Sequence, residues 1–187
     1  MSDHESVTKT PSISISHAGF HIFEMDVIVD FFTRVYGLIL TDRGVLGERG
    51  EIAFLGADPR DHHQLVLYSG RTKGDTVHYN HVSFRVGNLN KLRSIRAALE
   101  NYPGITKLMS INHGNAWSVY CHDPEGNRTE AFVDTPWYVS QPYENSLDLT
   151  LSDAEIEAET QSMLKDDPTT EPIETWREKY AHRLGLD

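Results

Sequence analysis

The chain has 187 residues, 39% hydrophobic side chains and a formal net charge of −11. This length and composition predict a globular fold with one substantial core. The acidic balance argues against nucleic acid as a partner, because such binding relies on clustered lysine and arginine, and no apolar run reaches the roughly 18 residues of a membrane span. The single cysteine, Cys121, excludes an internal disulfide and a cysteine-based zinc site, and with no signal-peptide pattern at the start it favours a cytoplasmic location.

The first third of the chain predicts a strand, a helix and three further strands. Residues 1–11 are predicted to form a flexible lead-in. The alternating run Ile13 to Phe20 predicts a strand that places His17 on the same side as Ile13 and Ile15, which we expect to be buried. Apolar residues at helical spacing predict a helix over 26–36. Turn residues then separate three predicted strands, at 38–42, 51–55 and 64–68.

The middle third repeats this order. A predicted strand over 77–84 carries His81, and a predicted helix over 89–101 ends at a Pro-Gly pair. The predicted strands that complete the second unit are 105–110, 117–122 and 128–133. Both opening strands contain the pattern His-x-x-Phe, with His17 and His81 64 residues apart. An internal repeat of this kind predicts two equivalent modules, 12–70 and 76–134, within one domain spanning 12–134.

The remaining segment, 135–187, has a different composition. From Asp134 onward there are 13 acidic and 4 basic side chains. Ser152 and Glu155 form a capping-box pattern that opens one helix, and Pro172 suits the first turn of another. We therefore predict an acidic helical extension that packs on its own body or on a second subunit.

The paired units resemble the vicinal oxygen chelate superfamily. The resemblance covers about Ile13 to Asp134 and implies an α+β fold, in which two βαβββ modules form a half-open barrel around a metal, of the glyoxalase/bleomycin resistance/dihydroxybiphenyl dioxygenase type, with the helical tail outside it. It implies His17, His81 and Glu130 as the metal ligands. Under the repeat, the position that matches Glu130 is Val66, so the two units supply only one carboxylate. Two imidazoles and one carboxylate are typical of Fe(II) sites that activate oxygen, although Mn(II) accepts the same donors.

The stretch Ile111 to Glu130 resembles the ring-cleavage signature of the extradiol dioxygenases. The matching points are His113, Val119-Tyr120, Asp123-Pro124, Gly126 and Glu130. The resemblance implies a catechol-type aromatic diol and O2 as substrates, a ring-opened semialdehyde as product, and roles for His113 and Tyr120 at the substrate oxygens. It also implies an acid/base histidine at the end of the first unit, which we assign to His63, with His62 as the alternative. The missing second pair of modules found in many such enzymes predicts a homo-oligomer.

Three other functions stay open at this point. A fosfomycin-type transferase would use the same His-His-Glu set with Mn(II), but it would not need the His113 and Tyr120 arrangement. An isomerase of the glyoxalase or epimerase type would want a further carboxylate from the first unit. A metal-free small-molecule binding protein would have no reason to keep all three ligands.

Overall fold

The computed structural model describes residues 14–76 and 78–186. The predicted lead-in 1–11, together with Ile13 and Val77 of the two opening strands, lies outside the described residues. Within those residues, no helix combines the length and the apolar character that a bilayer crossing requires.

The elements follow the predicted order of two successive strand-helix-strand-strand-strand units and then a helical segment. The first unit consists of β1 (Ala18–His21), α1 (Met25–Tyr36), β2 (Ile39–Val45), β3 (Glu51–Gly56) and β4 (Leu65–Tyr68). The second unit consists of β5 (Val82–Arg85), α2 (Leu89–Glu100), β6 (Thr106–Asn112), β7 (Ala116–His122) and β8 (Arg128–Asp134). The tail adds β9 (Trp137–Tyr138), β10 (Asn145–Ser146), α3 (Asp153–Leu164), β11 (Glu171–Pro172) and α4 (Ile173–Leu184).

The internal repeat holds at the level of strand register. In the first unit β1 pairs in parallel with β4, so that Gly19 lies opposite Val66. In the second unit β5 pairs in parallel with β8, so that Ser83 lies opposite Glu130. Each residue of the second pair follows its counterpart by 64 positions, the same offset that separates His17 from His81. The two units are therefore equivalent modules.

Each module forms its own sheet, and together the two sheets make a half-open barrel. The strand order is β1-β4-β3-β2 in the first sheet and β10-β6-β7-β8-β5 in the second. The helices cover the outer faces, where one continuous core joins the modules. Phe32 and Tyr36 of α1 pack on Phe84 of β5, with ring centroids 5.9 and 4.6 Å away. The Tyr36 hydroxyl also donates a hydrogen bond of 2.7 Å to Thr129 Oγ1, which fastens α1 to the second sheet.

A buried ion pair joins the modules at the start of α1. The Glu125 carboxylate, in the turn between β7 and β8, accepts hydrogen bonds from the backbone N–H groups of Phe23 and Glu24 at 3.0 and 2.6 Å. Arg71 Nη2 donates to the same carboxylate at 3.1 Å, and the two side chains are only 8% (Arg71) and 1% (Glu125) exposed. Glu125 therefore occupies the position of a cap for α1, whose own preceding residues provide no side-chain cap.

The acidic tail is helical, as predicted, and its two helices differ in burial. The capping box of Ser152 and Glu155 is present at the start of α3, which buries Ile156, Thr160 and Leu164 against the body. Pro172 lies at the N-cap of α4 and not in its first turn, and α4 has no buried residue. Only the first tail helix is thus integrated into the core.

The opening strands are shorter than the alternation predicts. β1 begins at Ala18 and β5 at Val82, so His17 and His81 stand just before their strands. The prediction that His17 shares a buried face with Ile15 was wrong, because Ile15 is 95% exposed. The buried residue of β1 is Phe20, which belongs to the alternate side of the strand.

Candidate metal centre

Glu130 is a buried carboxylate of β8 in the second sheet. In β8 it lies between Tyr120 of β7 and Ser83 of β5, and only 7% of its surface is exposed. Ser83 Oγ donates a hydrogen bond of 2.5 Å to Glu130 Oε2. Burial alone would raise the pKa of Glu130, but the hydroxyl groups of Ser118 and Ser83 favour the charged form, and the pKa lies below its ordinary value. A buried carboxylate is therefore held as an anion.

His81 is the partner of this carboxylate. Its Nε2 atom lies 3.3 Å from Glu130 Oε2, and its Nδ1 atom lies 2.7 Å from Asn80 Oδ1. Two atoms that ligate one ion through bonds of about 2.1 Å stand about 3.0 to 3.4 Å apart. The pair therefore has the donor types and the spacing of two adjacent ligands of a divalent transition metal.

His17 lies with the first module. Its ring is 4.6 Å from that of His63, centroid to centroid. Within the described part of the chain, no group of three His, Cys, Asp or Glu side chains is arranged to hold a metal ion. However, a cavity of about 530 Å³ is lined by both His17 and Ser83. The six predicted site residues thus fall into two groups on the two modules, and of these six only His17 lines this cavity, which reaches the second module at Ser83.

The His62-His63 pair is oriented by the carboxylate of Asp42, which sequence reasoning did not select. Asp42 Oδ2 lies 2.7 Å from His62 Nε2, and His62 Nδ1 lies 2.9 Å from His63 Nδ1. Because a carboxylate only accepts, His62 donates from Nε2. In its neutral form His62 then accepts at Nδ1, and His63 donates from its own Nδ1. His63 Nε2 is then left as a hydrogen-bond acceptor. Partial burial, with neighbouring His17 and His62, lowers the pKa of His63, which favours this neutral form.

Tyr120 and His113 lie together on the inner face beside Glu130. His113 Nε2 is 3.1 Å from the Tyr120 hydroxyl, and the rings of Tyr120 and His81 are 5.6 Å apart. Burial, and then the adjacent Glu130 carboxylate, raise the pKa of Tyr120. Tyr120 is therefore a neutral phenol at neutral pH, and the residues picked out by the ring-cleavage signature form one contiguous set with His81 and Glu130.

Sequence reasoning missed Ser83 and Asp42. Ser83 follows His81 by two residues, so strand alternation directs both side chains to one face and would have indicated Ser83 as a partner of the site. Asp42 offers no such signal, because β2 approaches the His62-His63 turn only through the antiparallel pairing of β2 with β3.

Three solved structures show which fold this is. A glyoxylase/bleomycin resistance protein/dioxygenase domain from Frankia sp. EAN1pec matches with a TM-score of 0.55 and 18% identity, covering 66% of this chain and all of that one. A mutant of the fosfomycin resistance protein FosX from Listeria monocytogenes, complexed with Mn(II) and 1S,2S-dihydroxypropylphosphonic acid, matches with a TM-score of 0.53 and 12% identity, covering 65% of this chain and 93% of that one. The FosX complex with Mn(II) and sulfate has a TM-score of 0.50 at 11% identity, covering 67% and 94%.

These comparisons define the class of fold. No protein-family profile and no curated protein sequence matches the chain. The structural matches show that the chain has the fold of the glyoxalase, bleomycin resistance and dioxygenase-domain proteins. About a third of the chain has no counterpart in them.

Proposed function

We propose that the protein is an extradiol dioxygenase that cleaves a catechol-type aromatic diol with O2 and a mononuclear Fe(II). The observation that carries this proposal is the Tyr120-His113 pair, with hydroxyl and imidazole 3.1 Å apart on the face that also holds His81 and Glu130. The ring-cleavage resemblance of residues 111–130 implies roles for the same two residues. A fold of this class that only bound a ligand would not need a hydrogen-bonded phenol and imidazole beside a buried carboxylate.

The metal would be held by His81, Glu130 and His17. Glu130 and His81 already have ligand spacing, and His17 would complete the set by turning from the His63 ring toward the cavity that it shares with Ser83. Two neutral imidazoles and one carboxylate suit Fe(II), and Mn(II) is the alternative. When bound, such an ion supplies the positive charge that holds the two diol oxygens and an adjacent position for O2.

The side chains of this protein would handle the protons. The Asp42-His62-His63 chain leaves His63 Nε2 as an acceptor, so His63 would remove a phenolic proton from the diol and His62 would orient it. Tyr120 would hydrogen-bond a substrate oxygen as a neutral phenol. Both groups act on a substrate that the protein has already oriented, which removes much of the entropic cost of the reaction.

The test is direct. Purified protein reconstituted with Fe(II) without air is expected to consume O2 when a panel of catechols is added, and to form a yellow ring-opened product. Stoichiometric O2 uptake measured with an electrode and product absorbance give two independent readouts. Metal-free protein is the control. Absence of O2 uptake over a broad panel, with Fe(II) bound in one-to-one ratio, would contradict the proposal.

A second candidate is Mn(II)-dependent chemistry on a phosphonate. It is favoured by the FosX structure with Mn(II) and a dihydroxypropylphosphonic acid. The same preparation loaded with Mn(II) and mixed with fosfomycin, with and without a thiol, separates the two. Consumption of fosfomycin without catechol cleavage would replace the dioxygenase while keeping the metal ligands.

We also propose that the protein forms a homo-oligomer. β2 is an edge strand whose seven residues are all exposed, with Ile39 and Val45 at 66% and 71% exposure. An unprotected edge with exposed aliphatic side chains favours pairing with a second copy. Light scattering after gel filtration is expected to show a dimer or larger assembly, and a double substitution of Ile39 and Val45 by lysine is expected to give monomers. The control is Ile15→Lys, at an even more exposed aliphatic position (95%) outside any strand. A monomeric wild-type protein would exclude the assembly.

A further inference from the structure

The C-terminal segment encloses the turn that carries His113. Gln141 Nε2 donates to the His113 backbone carbonyl at 2.9 Å, and Thr135 Oγ1 donates to the Gly114 carbonyl at 2.5 Å. From α3, Thr160 Oγ1 accepts hydrogen bonds of 2.8 Å from Asn112 Nδ2 and 2.9 Å from Trp117 Nε1. Both strands that flank the turn are thereby fixed to the tail.

Gly114 shows how close this packing is. A Cβ atom added there would lie 2.5 Å from Val139 Cγ1 and 3.1 Å from Leu164 Cδ2. Its φ of 73° also lies in the left-handed region, which glycine adopts without strain. Only a glycine at this position therefore lets the tail pack so closely against the turn.

One hydrogen bond of the tail is made to the imidazole ring of His113. His113 Nδ1 lies 2.9 Å from the backbone carbonyl oxygen of Tyr143. A carbonyl oxygen only accepts, so Nδ1 must carry the proton. Neutral His113 then has a lone pair on Nε2, so Nε2 cannot donate to the Tyr120 oxygen 3.1 Å away, and the single phenol proton goes either to Nε2 or to the adjacent Glu130 carboxylate. Because a phenol has one proton, the remaining lone pairs of the Tyr120 oxygen are left to accept a hydrogen bond from a bound group.

We infer that the C-terminal segment is a positioning element of the active site, which fixes His113 as the Nδ1–H tautomer through the Tyr143 carbonyl and so makes Tyr120 an acceptor for the substrate hydroxyl. This inference rests on the proposed function for its catalytic meaning and on the hydrogen-bond geometry alone for the tautomer. Gln141 and Tyr143 are the positioning residues. The Gln141 Oε1 atom accepts from the Tyr143 N–H at 3.1 Å, and the Tyr143 hydroxyl donates to the Met163 carbonyl of α3 at 3.2 Å.

The tautomer of His113 can be measured in protein that holds neither metal nor substrate. Protein labelled with ¹⁵N-histidine is examined by long-range proton-nitrogen NMR, and the His113 signals are assigned by their loss in His113→Asn. In the wild-type protein we expect a protonated Nδ1 and an unprotonated Nε2. In Gln141→Ala and Tyr143→Phe we expect a mixture of both tautomers, and the matched control Gln161→Ala, an exposed glutamine of α3, should keep the wild-type spectrum. A protonated Nε2 in neutral wild-type His113 would overturn the inference.

Turnover separates this inference from the proposed function. With Fe(II) and a cleaved catechol, Gln141→Ala is expected to lower kcat by about tenfold or more, the lower part of what positioned acid-base groups contribute, with little change in KM. A shifted tautomer with unchanged kcat would overturn the catalytic role. If no catechol is cleaved by any form, the proposed function fails, while the tautomer measurement still decides whether the tail positions His113.

Discussion

Replacing Glu130 by glutamine is expected to abolish Fe(II) retention and O2 uptake while leaving the fold intact. The amide keeps the shape of the side chain and still offers Ser83 Oγ an acceptor oxygen, but it removes the buried negative charge that faces His81 at 3.3 Å. Loss of groups that only orient a ligand costs about 10- to 100-fold in metal affinity. Loss of a ligand itself should therefore exceed about 100-fold. Metal content after anaerobic reconstitution and gel filtration measures the first effect, and an oxygen electrode measures the second.

Two comparisons make this result specific. Glu157→Gln changes the same chemical group at an exposed position of α3 and should behave as wild type. Ser83→Ala leaves the carboxylate but removes one of its hydrogen-bond donors, so its loss of metal affinity should fall within the range of about 10- to 100-fold. Glu130→Gln protein that retains one equivalent of iron and full turnover would remove Glu130 from the ligand set.

The fold could be predicted from the sequence because the same order of one strand, one helix and three strands occurs in two successive units. The predicted helices agree with α1 and α2 within one residue at each end, and the 64-residue offset between the opening histidines reappears as the offset between Gly19 paired with Val66 and Ser83 paired with Glu130. Strand alternation and helical periodicity are local signals, and each was available from a single unit.

The failures concern contacts between distant parts of the chain. The burial predicted for Ile15 was wrong because alternation fixes only which residues share a face, while the packing of a neighbouring element decides which face is covered. The orientation of His63 by Asp42 depends on how β2 and β3 bring a turn back over the strand. The contact of the Tyr143 carbonyl with His113 involves a backbone atom, which leaves no mark in the sequence. The metal ligands themselves stay a prediction, since the structure brings together His81 and Glu130 but leaves His17 beside His63.

Replacing Glu125 by alanine is expected to lower the free energy of unfolding by about 3 to 5 kcal/mol, the usual cost of removing one partner of a buried ion pair. The substitution leaves the Arg71 guanidinium, 8% exposed, without its carboxylate, and it removes the acceptor for the N–H groups of Phe23 and Glu24 at the start of α1. Glu125→Gln keeps an acceptor oxygen for these N–H groups but not the charge, so its effect should be smaller. Urea unfolding followed by circular dichroism gives both values, and an unchanged m-value would show that the unfolded states are comparable.

The matched control is a glutamate whose ion pair faces water. Glu100 forms an ion pair with Arg96, one helical turn earlier in α2, and 48% of the Glu100 side chain is exposed. Glu100→Ala should therefore lower the free energy of unfolding by only about 0.3 to 0.5 kcal/mol. The contrast follows from solvation. Water can replace the partner of Arg96, whereas Arg71 is buried, its Nη1 and Nη2 atoms already donate to Asn127 Oδ1 and the Glu125 carbonyl, and its Nε atom has no partner among the described residues. If Glu125→Ala cost no more than Glu100→Ala, Glu125 would not join the modules in solution, and the two sheets would be held at this end by the shared apolar core around α1.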